Sequence, residues 1–157
     1  MIEIKSPNRF NKSPGKFTIF LAGSINQGKS VDWQATIVEV MKDEDVLFYN
    51  PRRDFWDSSW KESLDNPKFV EQVNWELDHL NMADLIIFYF EPGSVSPVSL
   101  LELGKYIESN VIVLCQEGYF KRGNVQIMCE RYKVPMAKTM NGLIRMIKNQ
   151  IKEYHAL

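Results

Sequence analysis

Thiols and imidazoles are scarce, two cysteines and two histidines in 157 residues, which leaves little for a zinc-type metal site or a disulfide. Cys115 and Cys129 do not fall at a ligand spacing, and His79 and His155 stand alone, so no metal site is expected. Cys115 ends an apolar run and reads as a core residue. No apolar stretch approaches the about 20 residues that a membrane span needs. The first 16 residues carry Lys, Asn and Pro in place of an apolar signal core. Neither sign of charge dominates, with 19 Lys+Arg against 20 Asp+Glu. That balance argues against a nucleic-acid binder with a strongly basic face. What remains is a cytoplasmic enzyme or binding domain for small molecules.

What is present is a globular composition, 45% apolar, in a chain long enough for one domain with a real core. Residues 1–16 read as an irregular lead-in and 17–157 as the domain. Phe17–Ala22, Val46–Tyr49, Asp84–Phe90 and Val111–Cys115 are short apolar runs that read as buried strands. Between them lie helical spacings. Trp33, Ile37, Val40 and Met41 predict a helix over about 31–42, with Ser30 as cap and Asp32 in its first turn. Phe69, Val73, Leu77 and Leu80 predict a second. A third begins at Ser96-Pro97, with Ser as cap and Pro in the first turn, and runs to about Ser109. A fourth is expected around 124–132, and Leu143, Ile144, Ile147 and Ile151 mark a last one. Alternation of strands and helices implies a single-domain α/β fold, a doubly wound and largely parallel sheet with helices on both faces. Ligands of such sheets sit beyond the carboxyl ends of the strands.

Gly23-Ser-Ile-Asn-Gln-Gly28-Lys29-Ser30 fits the phosphate-cradling pattern G-x-x-x-x-G-K-[ST], after a strand and before a helix. Against a P-loop NTPase or kinase, the strand that would supply a magnesium-binding Asp ends in Glu91-Pro92, and no Arg-rich lid follows.

Two carboxylates stand out. Glu102 lies within two turns of the start of the third helix, where the helix dipole favours its ionised form. A charged, poorly hydrated carboxylate there is a competent nucleophile; a solvated helix Glu is the plainer alternative. Glu76 sits at the edge of the second helix's apolar stripe, where partial desolvation raises the pKa and suits a proton donor; a boundary Glu reaching water is the alternative. Arg52, Arg53 and Asp54 directly follow a strand end, where a guanidinium can bind a base edge or a phosphate, or pair with local acids. Trp33, Trp56 and Trp60 can stack on a base, although Trp33 is equally a core residue.

Taken in order, Phe20-Leu-Ala-Gly-Ser-Ile25, Asp32-Trp33-Gln34, Asn50-Pro-Arg-Arg-Asp54, Trp75-Glu-Leu77 with Ala83-Asp84, Ser96-Pro-Val-Ser-Leu-Leu-Glu-Leu-Gly104 and Gly123-Asn-Val125 resemble the nucleoside 2-deoxyribosyltransferase family in its 2-deoxyribosyltransferase-like branch. The resemblance implies a flavodoxin-like fold, no cofactor, and a deoxynucleoside or deoxynucleotide and a nucleobase as partners. It implies that Glu102 attacks the anomeric carbon and that Glu76, where many members carry Asp, helps hold the base or passes a proton. It places Gly23, Ser24, Trp33, Arg52, Arg53, Asp54, Ser96 and Asn124 around the substrate. Where the transferases carry an Asp six positions before the nucleophile, this chain has Ser96. The related deoxynucleoside monophosphate N-glycosidases tend to carry Ser there, against the 5'-phosphate, and Lys29 could assist. Hydrolysis of a monophosphate therefore stands beside transfer, and a non-catalytic nucleotide-binding module stands as a further alternative. Family members assemble as dimers or larger, and the same is expected here.

Overall fold

The computed structural model describes residues 1–10, 14–25 and 30–157. Six strands, β1 (Ile2–Lys5), β2 (Phe17–Gly23), β3 (Val46–Asn50), β4 (Leu85–Phe90), β5 (Val111–Cys115) and β6 (Met136–Ala137), form one sheet in the order β1-β3-β2-β4-β5-β6. Every neighbouring pair is parallel. From β2 onwards the strands are connected by α1 (Trp33–Val40), α2 (Pro67–Met82), α3 (Pro97–Tyr106) and α4 (Arg122–Arg131), and α5 (Met140–His155) follows β6. Without β1, the order is that of flavodoxin-like sheets, with a switch point where β2 lies between β3 and β4.

The pleat sorts each strand's side chains onto two faces, and both faces are covered. On one, Phe20, Ala22, Ile86, Phe88 and Phe90 pack with Trp75 and Leu80 of α2, Leu103 and Tyr106 of α3, and Val125 and Cys129 of α4. On the other, Ile19, Leu21, Ile87 and Tyr89 pack with Trp33 and Ile37 of α1 and with Leu143, Ile147 and Ile151 of α5. Fully burying side chains of this size contributes about 1.5–3 kcal/mol each before the entropy of ordering is subtracted.

The N-terminal lead-in is not irregular throughout. Ile2–Lys5 pairs with β3 from Ile2 opposite Leu47 to Lys5 opposite Asn50. Two isoleucines alternating with Glu3 and Lys5 are too short a pattern to mark a strand, and an edge position tolerates the charges. Sequence patterning also missed the two-residue β6. Two caps differ from expectation. Asp32, not Ser30, caps α1, its Oδ1 accepting from the Ala35 N–H at 3.0 Å. Ser96 precedes α3 but makes no side-chain cap bond, because its hydroxyl is engaged elsewhere.

Helix α2 is turned relative to its hydrophobic stripe. Its buried residues are Gln72, Trp75, His79 and Leu80, a face that is half polar. Phe69 and Val73 of the expected stripe instead border a cavity.

Candidate functional site

That cavity, about 500 Å³, opens beyond the carboxyl ends of β2 and β3, between α2 and the start of α3. It is of the size that small-molecule ligands occupy. Phe20, Ala22 and Gly23 come from the end of β2, Pro51, Arg52, Arg53 and Trp56 from the loop after β3, and Glu76 and Glu102 from the two helices. The backbone must pass close to β4 to reach it. Gly23 has φ +138, and a Cβ there would collide with the Tyr89 carbonyl oxygen, so only glycine fits.

Both carboxyls are withdrawn from water. Burial pushes Glu76 up to about 7, against the opposing hydrogen bond that it accepts from Gln72. Burial, and then the negative charge of Glu76, push Glu102 up to about 8. The expectation that the helix dipole keeps Glu102 ionised is thus reversed: desolvation outweighs the dipole, whose effect near a helix start is typically about 0.3–1 kcal/mol. Among the described residues no group of three or more His, Cys, Asp or Glu is placed to hold a metal ion, and no helix is long and apolar enough to cross a membrane.

Glu76 has a defined partner that sequence patterning did not single out. Gln72, one turn earlier on α2 and buried, donates from Nε2 to Glu76 Oε1 at 2.8 Å and to the Pro51 carbonyl at 2.9 Å. Its Oε1 accepts from the Ser6 hydroxyl at 2.5 Å. The i, i+4 spacing of Gln72 and Glu76 was the available signal.

At the switch point three hydroxyls meet. Ser24 Oγ lies 2.7 Å from Ser94 Oγ and 2.8 Å from Ser96 Oγ, the latter two are 3.0 Å apart, and Ser94 also donates to the Glu91 carbonyl. Three hydroxyl hydrogens serve these four contacts, so the cluster has several arrangements, and a hydrogen can be turned towards a ligand while the others redistribute. Ser96 is the member that borders the cavity. It is held at φ 45, a left-handed conformation uncommon outside glycine and here stabilised by its hydroxyl contacts. Ser24 is fully buried behind it.

The arginines divide the work. Arg52 donates to the Ser30 carbonyl at 3.0 Å and to the Val31 carbonyl at 3.4 Å, and its Nε lies 3.6 Å from Asp32, tying the cavity wall to the start of α1. Arg53 is only 7% exposed at its side chain, pairs with Glu71 at 3.0 Å and lies 5.4 Å from the centre of the Trp60 ring. Its Nη1 is buried without a hydrogen-bond partner.

Ser24 (buried behind Ser96), Trp60 and three further sequence-predicted residues fall away from the cavity lining. Asp54 is exposed and pairs with Lys5 at 2.8 Å. Asn124 is exposed on α4. Trp33 is 1% exposed in the core, 5.0 Å from the Tyr89 ring, and its Nε1–H donates to the Ser24 carbonyl at 3.0 Å, so it holds the serine cluster and cannot stack on a ligand. Trp56 takes the bordering role. Lys29 and residues 26–28 of the P-loop-like segment lie outside the described residues.

Comparison with known proteins agrees with this geometry. The model of a family described as nucleoside 2-deoxyribosyltransferase like matches residues 16–119, about two thirds of the chain and all of the segments that build the cavity. A solved structure of a conserved protein from Enterococcus faecalis V583 is similar over 86% of this chain and 99% of its own, with a TM-score of 0.62 and 15% identity, and shares the fold. A two component transcriptional regulator AraC from Clostridium phytofermentans ISDg aligns over 90% of this chain and 100% of its own with a TM-score of 0.48 and 9% identity, too low to bear on function. No curated protein matches significantly.

Proposed function

The chain belongs to the nucleoside 2-deoxyribosyltransferase-like family, and on that premise we propose that it cleaves and transfers at the N-glycosidic bond of 2'-deoxynucleosides, with Glu102 as nucleophile and Glu76 as proton carrier. One observation carries the reading. Two desolvated carboxyls, delivered by different helices, border one cavity, and the charge of one raises the pKa of the other. Paired acids with elevated pKa values are the equipment that glycosidic chemistry needs.

In the forward step a Glu102 carboxylate oxygen bonds to C1' as the C1'–N bond breaks. The bonding pair leaves with the base, which takes a proton from Glu76. A second base, or water, then attacks C1' from the vacated face and gives its proton to Glu76, and Glu102 departs as a carboxylate. Two inversions at one carbon give retention. The singly protonated pair is the working form. Burial leaves its proton on Glu102 before substrate binds. Positive charge developing on the sugar stabilises the ionised Glu102 and shifts the proton to Glu76, where the base can receive it.

Arg52, Arg53 and Trp56 form the wall on the β3 side and Ser96 the opposite one, a division suited to a base on one side and sugar hydroxyls on the other. Hydrolysis of a deoxynucleoside 5'-monophosphate is the second reading, favoured by the redistributable hydroxyl hydrogens of the serine cluster at the start of α3. Assembly into dimers or larger, expected from the family, belongs to the same proposal. The deciding test is intact-mass measurement after mixing with a 2-fluoro-deoxynucleoside. A sugar adduct on the wild type, absent from Glu102→Ala, supports the nucleophile; no adduct on either, with ligand still bound, favours a nucleotide-binding module. Product analysis with deoxynucleosides plus free base, against deoxynucleotides alone, separates transfer from hydrolysis.

A further inference from the structure

The amide of Gln72 cannot be turned over. Its nitrogen faces two acceptors, the Pro51 carbonyl and Glu76 Oε1, and its oxygen faces the Ser6 hydroxyl. Exchanging O and N would set an oxygen against the Pro51 carbonyl at 2.9 Å, with no hydrogen between them. The residue is 4% exposed, so water cannot compensate. Its orientation is therefore dictated by groups outside the catalytic pair, one of them on the segment that follows β1.

We propose that Gln72 is the positioning residue of the proton carrier: it holds Glu76 Oε1 permanently as a hydrogen-bond acceptor, so that the transferable proton resides on Oε2. Both N–H hydrogens of the amide are committed, one to Pro51 and one to Glu76. Gln72 never takes the proton itself, and its side chain fixes which oxygen of Glu76 presents it. A carboxyl bound in this way is one-sided: Oε1 is fixed as acceptor before the substrate arrives, and the proton, once on Glu76, stands on Oε2. The bond also favours the charged form, opposing the desolvation that raises Glu76. Gln72 thereby keeps the carrier able to release its proton near neutral pH. The Ser6 hydroxyl serves one step further back, by occupying the amide oxygen.

The inference rests on the reading of Glu76 as proton carrier, and its test has an arm that needs no turnover. In the wild-type protein, the side-chain N–H resonances of Gln72 are followed by ¹H–¹⁵N spectroscopy as the Glu76 carboxyl is titrated by ¹³C spectroscopy. One Nε2 hydrogen should move downfield with the same midpoint as Glu76, and the other should stay still. In Gln72→Met, which keeps the volume and removes both donors, the Glu76 midpoint should rise by about one pH unit. In the catalytic arm, Gln72→Met should lose roughly tenfold or more in kcat on a deoxynucleoside with an ordinary base, within the range typical of general-acid contributions. It should stay within about threefold of wild type on an N7-methylated purine deoxynucleoside, whose cationic base departs without a proton.

Gln72 hydrogens that ignore the titration, or a Glu76 midpoint unmoved in Gln72→Met, would overturn the proposal. So would equal losses on both leaving groups, the mark of a merely structural residue. Should Gln72→Met fail to fold, the wild-type titration decides alone. Absence of any cleavage by wild type defeats the glycosidic function, while the titration still reports whether Gln72 governs Glu76.

Discussion

The charge of Glu76, on α2, adds to burial in holding the carboxyl of Glu102, on α3, up to about 8. Two acids 26 positions apart in the chain thus titrate as a pair, with β4 running between the helices that carry them. On the proposed reading, the proton count of the pair, more than that of either member, sets the activity.

A bell-shaped dependence of kcat/KM on pH follows, with the singly protonated pair most populated between about 7 and 8. In Glu76→Gln the negative neighbour is gone. Only the ionisation of Glu102 then remains, so the alkaline limb should disappear while the overall rate falls about 10²–10⁴-fold. Profiles measured from about pH 5 to 10 check this. An alkaline limb that persists in the variant would show that Glu76 is not the group whose proton the reaction needs.

Stability should carry the same signature. The folded-state pKa of Glu102 lies above the ordinary value of 4.5, so its contribution is intact below that value and is lost as pH rises through about 8. Glu102→Gln removes the buried charge. Denaturant titrations should find the variant close to wild type at about pH 4 to 5 and more stable by a few kcal/mol at about pH 9, because each pH unit between the ordinary and the raised pKa is worth about 1.4 kcal/mol. A gap that does not widen with pH contradicts the desolvated placement of Glu102.

Gly23→Ala is expected to be severe. The added methyl group meets the Tyr89 backbone, which cannot yield without disturbing the pairing of β2 with β4, and the positive φ adds strain. A loss of about 3 kcal/mol or more is anticipated, seen as a fall in the denaturation midpoint together with loss of ligand binding.

Trp33→Phe tests the support of the serine cluster. The aromatic packing against Tyr89 is kept and the Nε1 hydrogen bond to the Ser24 carbonyl is lost. About 1 kcal/mol of stability should go, equivalent to about 2–4 °C in Tm for a chain of this size. KM should rise more than kcat falls, because the residue holds the wall and does not touch the substrate.

Arg53 and Asp54 are adjacent in sequence and opposite in expectation. Arg53→Met removes a buried guanidinium from the cavity wall and leaves Glu71 with Lys68 alone, so KM should rise roughly tenfold, the loss expected of one charged hydrogen bond. Asp54→Ala breaks an exposed pair with Lys5 and should change activity less than about twofold and stability by less than about 1 kcal/mol. Steady-state kinetics with the two variants side by side distinguishes the cavity wall from its outer rim.

Much of the fold was legible because the apolar strands are short, continuous and separated by helical spacings. Val111–Cys115 and Leu85–Phe90 needed no tertiary information. β1 was hidden because an edge strand can alternate isoleucine with charge. The rotation of α2 was hidden because hydrophobicity points Phe69 and Val73 at the core. The buried positions went to Gln72 and His79, polar groups accommodated by bonds to Pro51 and Trp75 backbone oxygens. Ser96 had the composition of a cap, but two other serines compete for its hydroxyl, and no local pattern reports a contact made across 72 positions.

The two acids stand on helices anchored in the core, whereas the wall on the β3 side belongs to the long stretch between Pro51 and Asn66 that leads into α2. On the proposed reading, reaction and recognition are therefore carried largely by different pieces of chain. Grafting a different stretch between Pro51 and Pro67, with the Pro51 carbonyl that holds Gln72 retained, should retarget the pocket to another base while leaving the two acids in place, a modularity useful for building new nucleoside analogues.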